Sequence, residues 1–174
     1  ILGEEGCARC KGKNKAELFA NEVNLIQAHL AKNNIAMYIW GDRLLNGKTT
    51  GIGKWAASKN DTDTAIDLIS KEVIICDWQY KFAPPTSGYF AVKGFNVISA
   101  SYQVPSVATF QLSNMIGMRA NSRDTIKNRL RGVMHTYWGS FNSFYQCYQG
   151  KTCENEVKKS AVQTFNSLYP KEKS

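Results

Sequence analysis

The chain has 174 residues, of which 43% are hydrophobic, 21% charged and 11% aromatic, a composition that predicts one folded core and excludes a disordered or low-complexity scaffold. It holds no apolar run of about 18 residues, and Ile1-Leu2-Gly3-Glu4-Glu5 has neither the basic start nor the apolar core of a secretory signal, so neither a membrane span nor a signal is expected, and the missing initiator Met predicts a trimmed chain. The net charge of +8 is scattered apart from modest groups at Arg119 to Arg131 and Lys151 to Lys173, with no stacking aromatics interleaved, which predicts a solvated basic surface and no nucleic-acid partner.

Leu18, Phe19, Val23, Ile26 and Leu30 recur at spacings of three and four, predicting an amphipathic helix over 15–33 that stops at Asn33-Asn34. Ala36-Met37-Tyr38-Ile39-Trp40 is a short apolar run of strand formers closed by the polar Gly41-Asp42-Arg43. Residues 48–53 predict a loop carrying Trp55, and 61–69 a short helix capped by Asn60 or Asp61. Val73-Ile74-Ile75-Cys76-Asp77 lacks alternation, the pattern of a strand covered on both faces, and Trp78-Gln79-Tyr80 and a turn at Pro84-Pro85 follow it. Residues 87–93 predict one or two helical turns ended by Gly94, Phe95-Asn96-Val97-Ile98-Ser99 a third strand, and Pro105 the start of a helix reaching about Ala120. Gly132-Val133-Met134-His135-Thr136 is the fourth strand, and a helix from Glu154 to about Leu168 closes the chain. This alternation predicts an α/β fold of parallel strands joined by right-handed crossovers.

The five cysteines leave an odd one. Cys7-Ala8-Arg9-Cys10 fits a loop or a local disulfide first, half of a metal site second and a redox centre last, because no second pair of ligands accompanies it and Lys11-Gly12-Lys13-Asn14 breaks a following helix. Cys76 reads as a small core residue. Cys147 and Cys153 flank Gln149-Gly150 and could pair in an oxidising compartment, which the sequence leaves open.

Each predicted strand ends in polar and aromatic residues: Trp40 with Asp42, Asp77 with Trp78 and Tyr80, Ser99 with Tyr102, and His135 with Thr136 and Trp138. In parallel α/β folds the carboxyl ends of the strands carry the ligand site, so these clusters should converge on one rim. Three strand-end tryptophans either cap the core or form a sugar pocket, since pyranose faces pack on aromatic rings. Trp55, in its loop, is less informative. Asp42 and Asp77 are candidate paired carboxylates for glycosidic acid–base work. The structural alternative has Asp42 pairing with Arg43 or the rim and Asp77 capping the next turn, and it is preferred for Asp77. His135 reads as a hydrogen-bonded core residue before a catalytic base. No G-x-S-x-G, P-loop or G-x-G-x-x-G occurs, which argues against serine hydrolase, NTPase and dinucleotide-dependent chemistry.

The strings Tyr38-Ile39-Trp40-Gly41-Asp42-Arg43-Leu44, Ile74-Ile75-Cys76-Asp77-Trp78-Gln79-Tyr80, Gly94-Phe95-Asn96-Val97-Ile98 and Gly132-Val133-Met134-His135-Thr136-Tyr137-Trp138-Gly139 resemble, in that order, the second half of the catalytic barrel of family 20 glycoside hydrolases, the β-N-acetylhexosaminidase-like enzymes. The sequence looks closest to a bacterial branch, which points to a periplasmic or secreted parent and leaves the compartment open. The resemblance covers residues 1 to about 148. It implies strands five to eight of a TIM (β/α)8 barrel over 1–150, with a closing helix and tail over 151–174. It also implies retaining, substrate-assisted hydrolysis of terminal β-linked N-acetylhexosamine, without metal or cofactor. Trp40, Trp78 and Trp138 would enclose the sugar with Asp42 at the rim, and Tyr80 would hydrogen-bond the reacting acetamido group. The family's general acid is the Glu of an Asp-Glu pair. Glu4-Glu5 reads either as a degenerate pair, making Glu5 the catalytic candidate, or as residues just downstream of a pair lying outside this chain. The family's sugar-binding Glu two residues after the last Trp is Ser140 here, a departure that bears on substrate and activity.

The expected partners are a carbohydrate and either the missing N-terminal half-barrel or a second copy, because a half barrel leaves two strand edges and its inner face unpaired. The rival reading is a non-catalytic carbohydrate-binding or interaction domain, and a weaker one is a basic nucleic-acid-binding α/β domain.

Overall fold

In a computed structural model, which describes residues 8–53 and 55–170, α1 (Lys15–Ala31) begins where the sequence supplies a cap. Asn14 Oδ1 accepts from the Ala16 and Glu17 backbone N–H groups, and Asn14 Nδ2 donates back to Glu17 Oε1. The helix ends as expected at the two asparagines, where Asn34 adopts the left-handed conformation at φ 55°. Four strands follow, β1 (Tyr38–Trp40), β2 (Ile74–Trp78), β3 (Asn96–Ser101) and β4 (Leu130–His135), interleaved with α2 (Thr86–Val92), α3 (Pro105–Asn121) and the single turn α4 (Asp124–Lys127). Two further helices, α5 (Phe141–Tyr148) and α6 (Glu156–Leu168), complete the chain.

The strands form one parallel sheet in the order β1-β2-β3-β4. Parallel neighbours taken strictly in sequence, each joined by a right-handed crossover, place every connecting helix on the same face; covering both faces requires the order to reverse. The core obeys this. The register aligns Ile39, Ile75, Val97 and Leu130 in one row across the sheet. That row packs into a single cluster with Ala16, Ala20 and Val23 of α1, Phe90 of α2 and Met115 of α3. Phe90 and Phe95 are both fully buried, each contributing about 1.5–3 kcal/mol through the apolar surface removed from water.

The opposite face is uncovered among the described residues. Ile75 and Asp77 are buried, whereas their neighbours Ile74 and Trp78 are only half-buried, as are Ile98, Gly132 and Met134. Tyr38 is 54% exposed. The continuous apolar run of β2 therefore does not mean cover on both faces here: Cys76 is shielded, but helices pack on only one side.

Other expectations need correction. Residues 61–69 do not form an α-helix. Asp61 takes φ 63°, and a 3-10 turn, Asp63–Asp67, forms with Thr62, not Asn60 or Asp61, at its N-cap position. Thr62 is instead buried and donates its hydroxyl to Arg43 O (2.9 Å), which fastens this turn to the 3-10 turn Gly41–Leu44 that follows β1. The sequence reading also missed α5, whose N-cap is Ser140. Between Val97/Ile98 and Leu130/Gly132 the β3–β4 register shifts by one residue, leaving Arg131 as the extra one, with Gly132 at φ 128°. Cys147 and Cys153 are joined in a disulfide, Cys10 is disulfide-bonded, and Cys76 is free and buried. Cys7, Glu4 and Glu5 lie outside the described residues.

Gly41 closes the helix-side row at the end of β1. A Cβ built there would lie 2.7 Å from Ile75 Cγ2 and 2.9 Å from Phe90 Cζ, whereas one on Gly53 would meet nothing. Gly41→Ala is expected to cost about 1–3 kcal/mol by overpacking, and Gly53→Ala to be near neutral. Paired thermal melts check this, and equal melting temperatures for the two variants would refute the close approach.

Candidate functional site

The carboxyl ends of β1, β2 and β4 converge on a cavity of about 360 Å³ lined by Trp40, Asp42, Arg43, Trp55, Trp78, Tyr80 and Trp138. Period-2 alternation explains the choice of residues. Trp78 and Tyr80 alternate with the buried Asp77 and Gln79 and so fall on the uncovered face, together with Trp40, the register partner of Cys76. The Trp40 and Trp138 rings lie with centroids 6.1 Å apart, although Trp40 ends the first strand of the sheet and Trp138 follows the last. Tyr80 sits between Trp78 (5.1 Å) and Tyr102 (5.3 Å). Trp40 remains 39% exposed and Trp138 56%, so aromatic surface stays open to solvent at the site.

The polar edges of these rings are fixed. Trp78 Nε1 donates to Asp42 Oδ1 (3.1 Å), and Arg43 Nε lies 2.9 Å from Asp42 Oδ2. Both carboxylate oxygens of Asp42 are thus engaged, which makes it an orienting group for the indole. Trp138 Nε1 donates to the Tyr80 hydroxyl (2.9 Å). Thr136 Oγ1 lies 3.0 Å from that hydroxyl and 2.8 Å from Ser101 O, and its single proton serves one or the other. When it serves Tyr80, the tyrosine oxygen accepts twice and its own proton is available to a ligand. Burial pushes the Tyr80 hydroxyl's pKa up, against the hydrogen bonds from Thr136 and Trp138, so it remains a neutral donor.

Trp55, discounted in the sequence, belongs to the site. Its loop is pinched at the neck, where Gly47 N–H donates to Ser58 O (2.7 Å) and Ser58 N–H to Leu45 O (2.8 Å). Within it, Asn46 Oδ1 accepts from the Lys48 and Thr49 N–H groups. Buried Gln79 then donates its side-chain amide to Ala56 O (3.3 Å), tying the residue after Trp55 to the end of β2. The signal available in the sequence was the asparagine and glycine punctuation around residues 46–53, which marks a structured loop.

The remaining candidates separate from the pocket. Asp77 is not paired with Asp42. It points to the helix side, where its Oδ2 accepts the Thr86 and Ser87 hydroxyls (2.8 and 2.7 Å) at the start of α2, a structural role, though through side-chain hydroxyls and not as the expected cap of a turn. His135 lies on the same side, edge-on to Phe165 of α6. Ser140 uses its hydroxyl to cap α5 by accepting the Ser143 N–H (3.1 Å). Glu5 is among the residues not described. Among the described residues no group of three or more His, Cys, Asp or Glu side chains is placed to hold a metal.

Desolvation raises the Asp77 pKa to about 6, against hydrogen bonds from Ser87, Thr86 and Gln79 that lower it, and its Oδ1 has no partner. Desolvation lowers His135 to about 4. The folded state therefore keeps a proton on Asp77 that the unfolded chain has lost, so its contribution falls as pH rises from about 4 to 6, by about 3 kcal/mol. His135 works oppositely, losing stability as pH falls from 6.5 towards 4. In Asp77→Asn only the histidine slope remains, so stability should rise from pH 4.5 to 7.5 and exceed wild type at pH 7.5. Urea unfolding at the two pH values checks it, and a variant less stable than wild type at pH 7.5 would contradict the assignment. No protein-family model matches this sequence, and no curated protein matches it.

Proposed function

We propose that this chain forms the sugar-binding wall of a β-N-acetylhexosaminidase-like glycoside hydrolase, as the second half of a (β/α)8 barrel. The observation that carries the reading is the pocket itself: four tryptophans and Tyr80 around about 360 Å³, with the indole N–H groups of Trp78 and Trp138 already committed. Such a cage offers flat apolar faces to a pyranose ring, with the Tyr80 hydroxyl at its lining as a donor. Tyr80 is the group proposed to hydrogen-bond the acetamido group as its oxygen attacks the anomeric carbon, with no enzyme nucleophile. Trp40, Trp78, Trp138 and Trp55 bind the ring. Asp42 positions Trp78.

Two features support the half barrel. The sequential sheet order with helices on one face is that of consecutive barrel strands. The 6.1 Å approach of Trp40 and Trp138 fits a concave sheet, since strands three spacings apart in a flat one are about 14 Å from each other. The uncovered inner face and the outer edges of β1 and β4 would be closed by the other half-barrel or by a second copy.

A second reading, a non-catalytic carbohydrate-binding domain, is favoured by one observation. Asp42 is the carboxylate that lines the pocket among the described residues, and both its oxygens are held. In the hydrolase reading the general acid comes instead from Glu5 or from outside the chain.

Quenching of tryptophan fluorescence by N-acetylglucosamine tests the pocket. Trp78→Ala is expected to weaken binding at least about tenfold, while circular dichroism reports that the variant is folded. Tyr80→Phe keeps the ring and isolates the hydroxyl. Absence of saturable binding by the wild type would sink both sugar readings. Hydrolysis of a chromogenic N-acetylglucosaminide, assayed in parallel, separates them: turnover supports the hydrolase, its loss in Glu5→Gln assigns the acid, and binding without turnover supports the binding domain.

A further inference from the structure

The most exposed large apolar side chain on the described surface is Phe141, at 79%, and it is not isolated. Tyr145, one helical turn on, is 44% exposed, and the two rings are near parallel, 13° apart with centroids at 6.0 Å. They occupy the outward side of α5. The inward side carries Phe144 and Tyr148, both packed edge-on against Phe165 of α6 at 5.3 and 5.8 Å. The Cys147–Cys153 disulfide and the Ser140 cap fix the two ends of the helix, and Gln149 Nε2 donates to the Tyr145 hydroxyl (2.6 Å). The exposed pair is therefore held on a rigid support rather than on a loose tail.

Three residues before Phe141 is Trp138, which lines the pocket and is itself exposed, so at most about 11 Å of chain separates the Cα atoms of the two. The chemistry of this segment is unlike that of the rest of the chain. In a protein of net charge +8, residues 132–150 contain no Asp, Glu, Lys or Arg. Past Trp138 the polar side chains of this stretch are hydroxyls and amides, among them Ser140, Asn142, Ser143, Gln146 and Gln149. Lys158, which approaches Gly139, has its amino group over the Tyr137 ring, 4.7 Å from the centroid. A segment stripped of cations suits neither a polyanion nor an acidic membrane surface. Open aromatic faces bordered by amides and hydroxyls suit an uncharged glycan, whose ring faces are apolar and whose edges are hydroxyls.

We infer that Trp138, Phe141 and Tyr145 form a second carbohydrate subsite, a platform along α5 that binds the part of a neutral glycan chain extending beyond the residue held in the pocket. This rests on the sugar-binding reading of the pocket and adds to it a preference for chain length. Preorganisation is what makes the platform effective, because the rings lose little freedom when the glycan settles on them.

The test uses the full chain with N-acetylglucosamine and its β-1,4-linked tetramer, titrated calorimetrically. The wild type should bind the tetramer more tightly than the monomer. The double variant Phe141→Ala, Tyr145→Ala should lose roughly tenfold in tetramer affinity with monomer affinity unchanged, whereas Phe141→Trp and Tyr145→Phe should retain tetramer binding. Equal affinity of the wild type for both ligands, or tetramer binding unchanged in the double variant, overturns the platform while leaving the pocket intact. Loss of a concentration-dependent dimer in the double variant by sedimentation, with tetramer binding unchanged, reassigns the surface to self-association. Failure of either sugar to bind the wild type overturns the pocket reading and the platform with it.

Discussion

The arrangement depends on one constraint: strands taken strictly in order, with right-handed crossovers, put all their helices on one side of the sheet. That side becomes the core, built on the row Ile39, Ile75, Val97 and Leu130 and filled by Phe90 and Met115. It must be closely packed, and Gly41 sits where any side chain would strike Ile75 and Phe90. The other face stays open, and the pocket forms at the carboxyl ends of its strands. Because side chains alternate, each residue of β2 is committed either to the core, as Ile75 and Asp77 are, or to the open face, as Trp78 is.

The pocket shows how large apolar side chains can be positioned without being buried. Trp78 and Trp138 spend their indole N–H groups on fixed acceptors, Asp42 and the Tyr80 hydroxyl, so the orientation of these two rings is set by hydrogen bonds at their edges while the faces stay open. Support comes from buried polar groups. Gln111 on α3 donates to Gln79 O (2.8 Å), and Gln79 in turn holds the loop that delivers Trp55. This chain of contacts links the helix layer to the rim and holds the loop between β1 and β2 at the same cavity as three strand ends. The same economy governs α5, where one side packs on α6 by aromatic edges, a disulfide ties its last turn to the segment before α6, and the other side is left exposed.

The sequence alone disclosed the alternation of strands and helices, the parallel α/β class and the convergence of Trp40, Trp78, Tyr80 and Trp138, because strand-forming runs and their polar ends are local signals. It also pointed to the structural role of Asp77, whose neighbours Thr86 and Ser87 follow the Pro84-Pro85 turn. Tertiary structure decided what depends on distant partners. Residues 61–69 carry a helical pattern, yet Thr62 is drawn to Arg43 O and Asp61 takes a left-handed backbone, so the α-helix gives way to a 3-10 turn. Residues 141–148 became a helix through packing on Phe165 and the Cys147–Cys153 bond. Trp55 entered the site because Gln79, far along the chain, holds its loop. Periodicity records which side chains share a face; which faces are then covered is a property of the assembled layers, and no single segment encodes it.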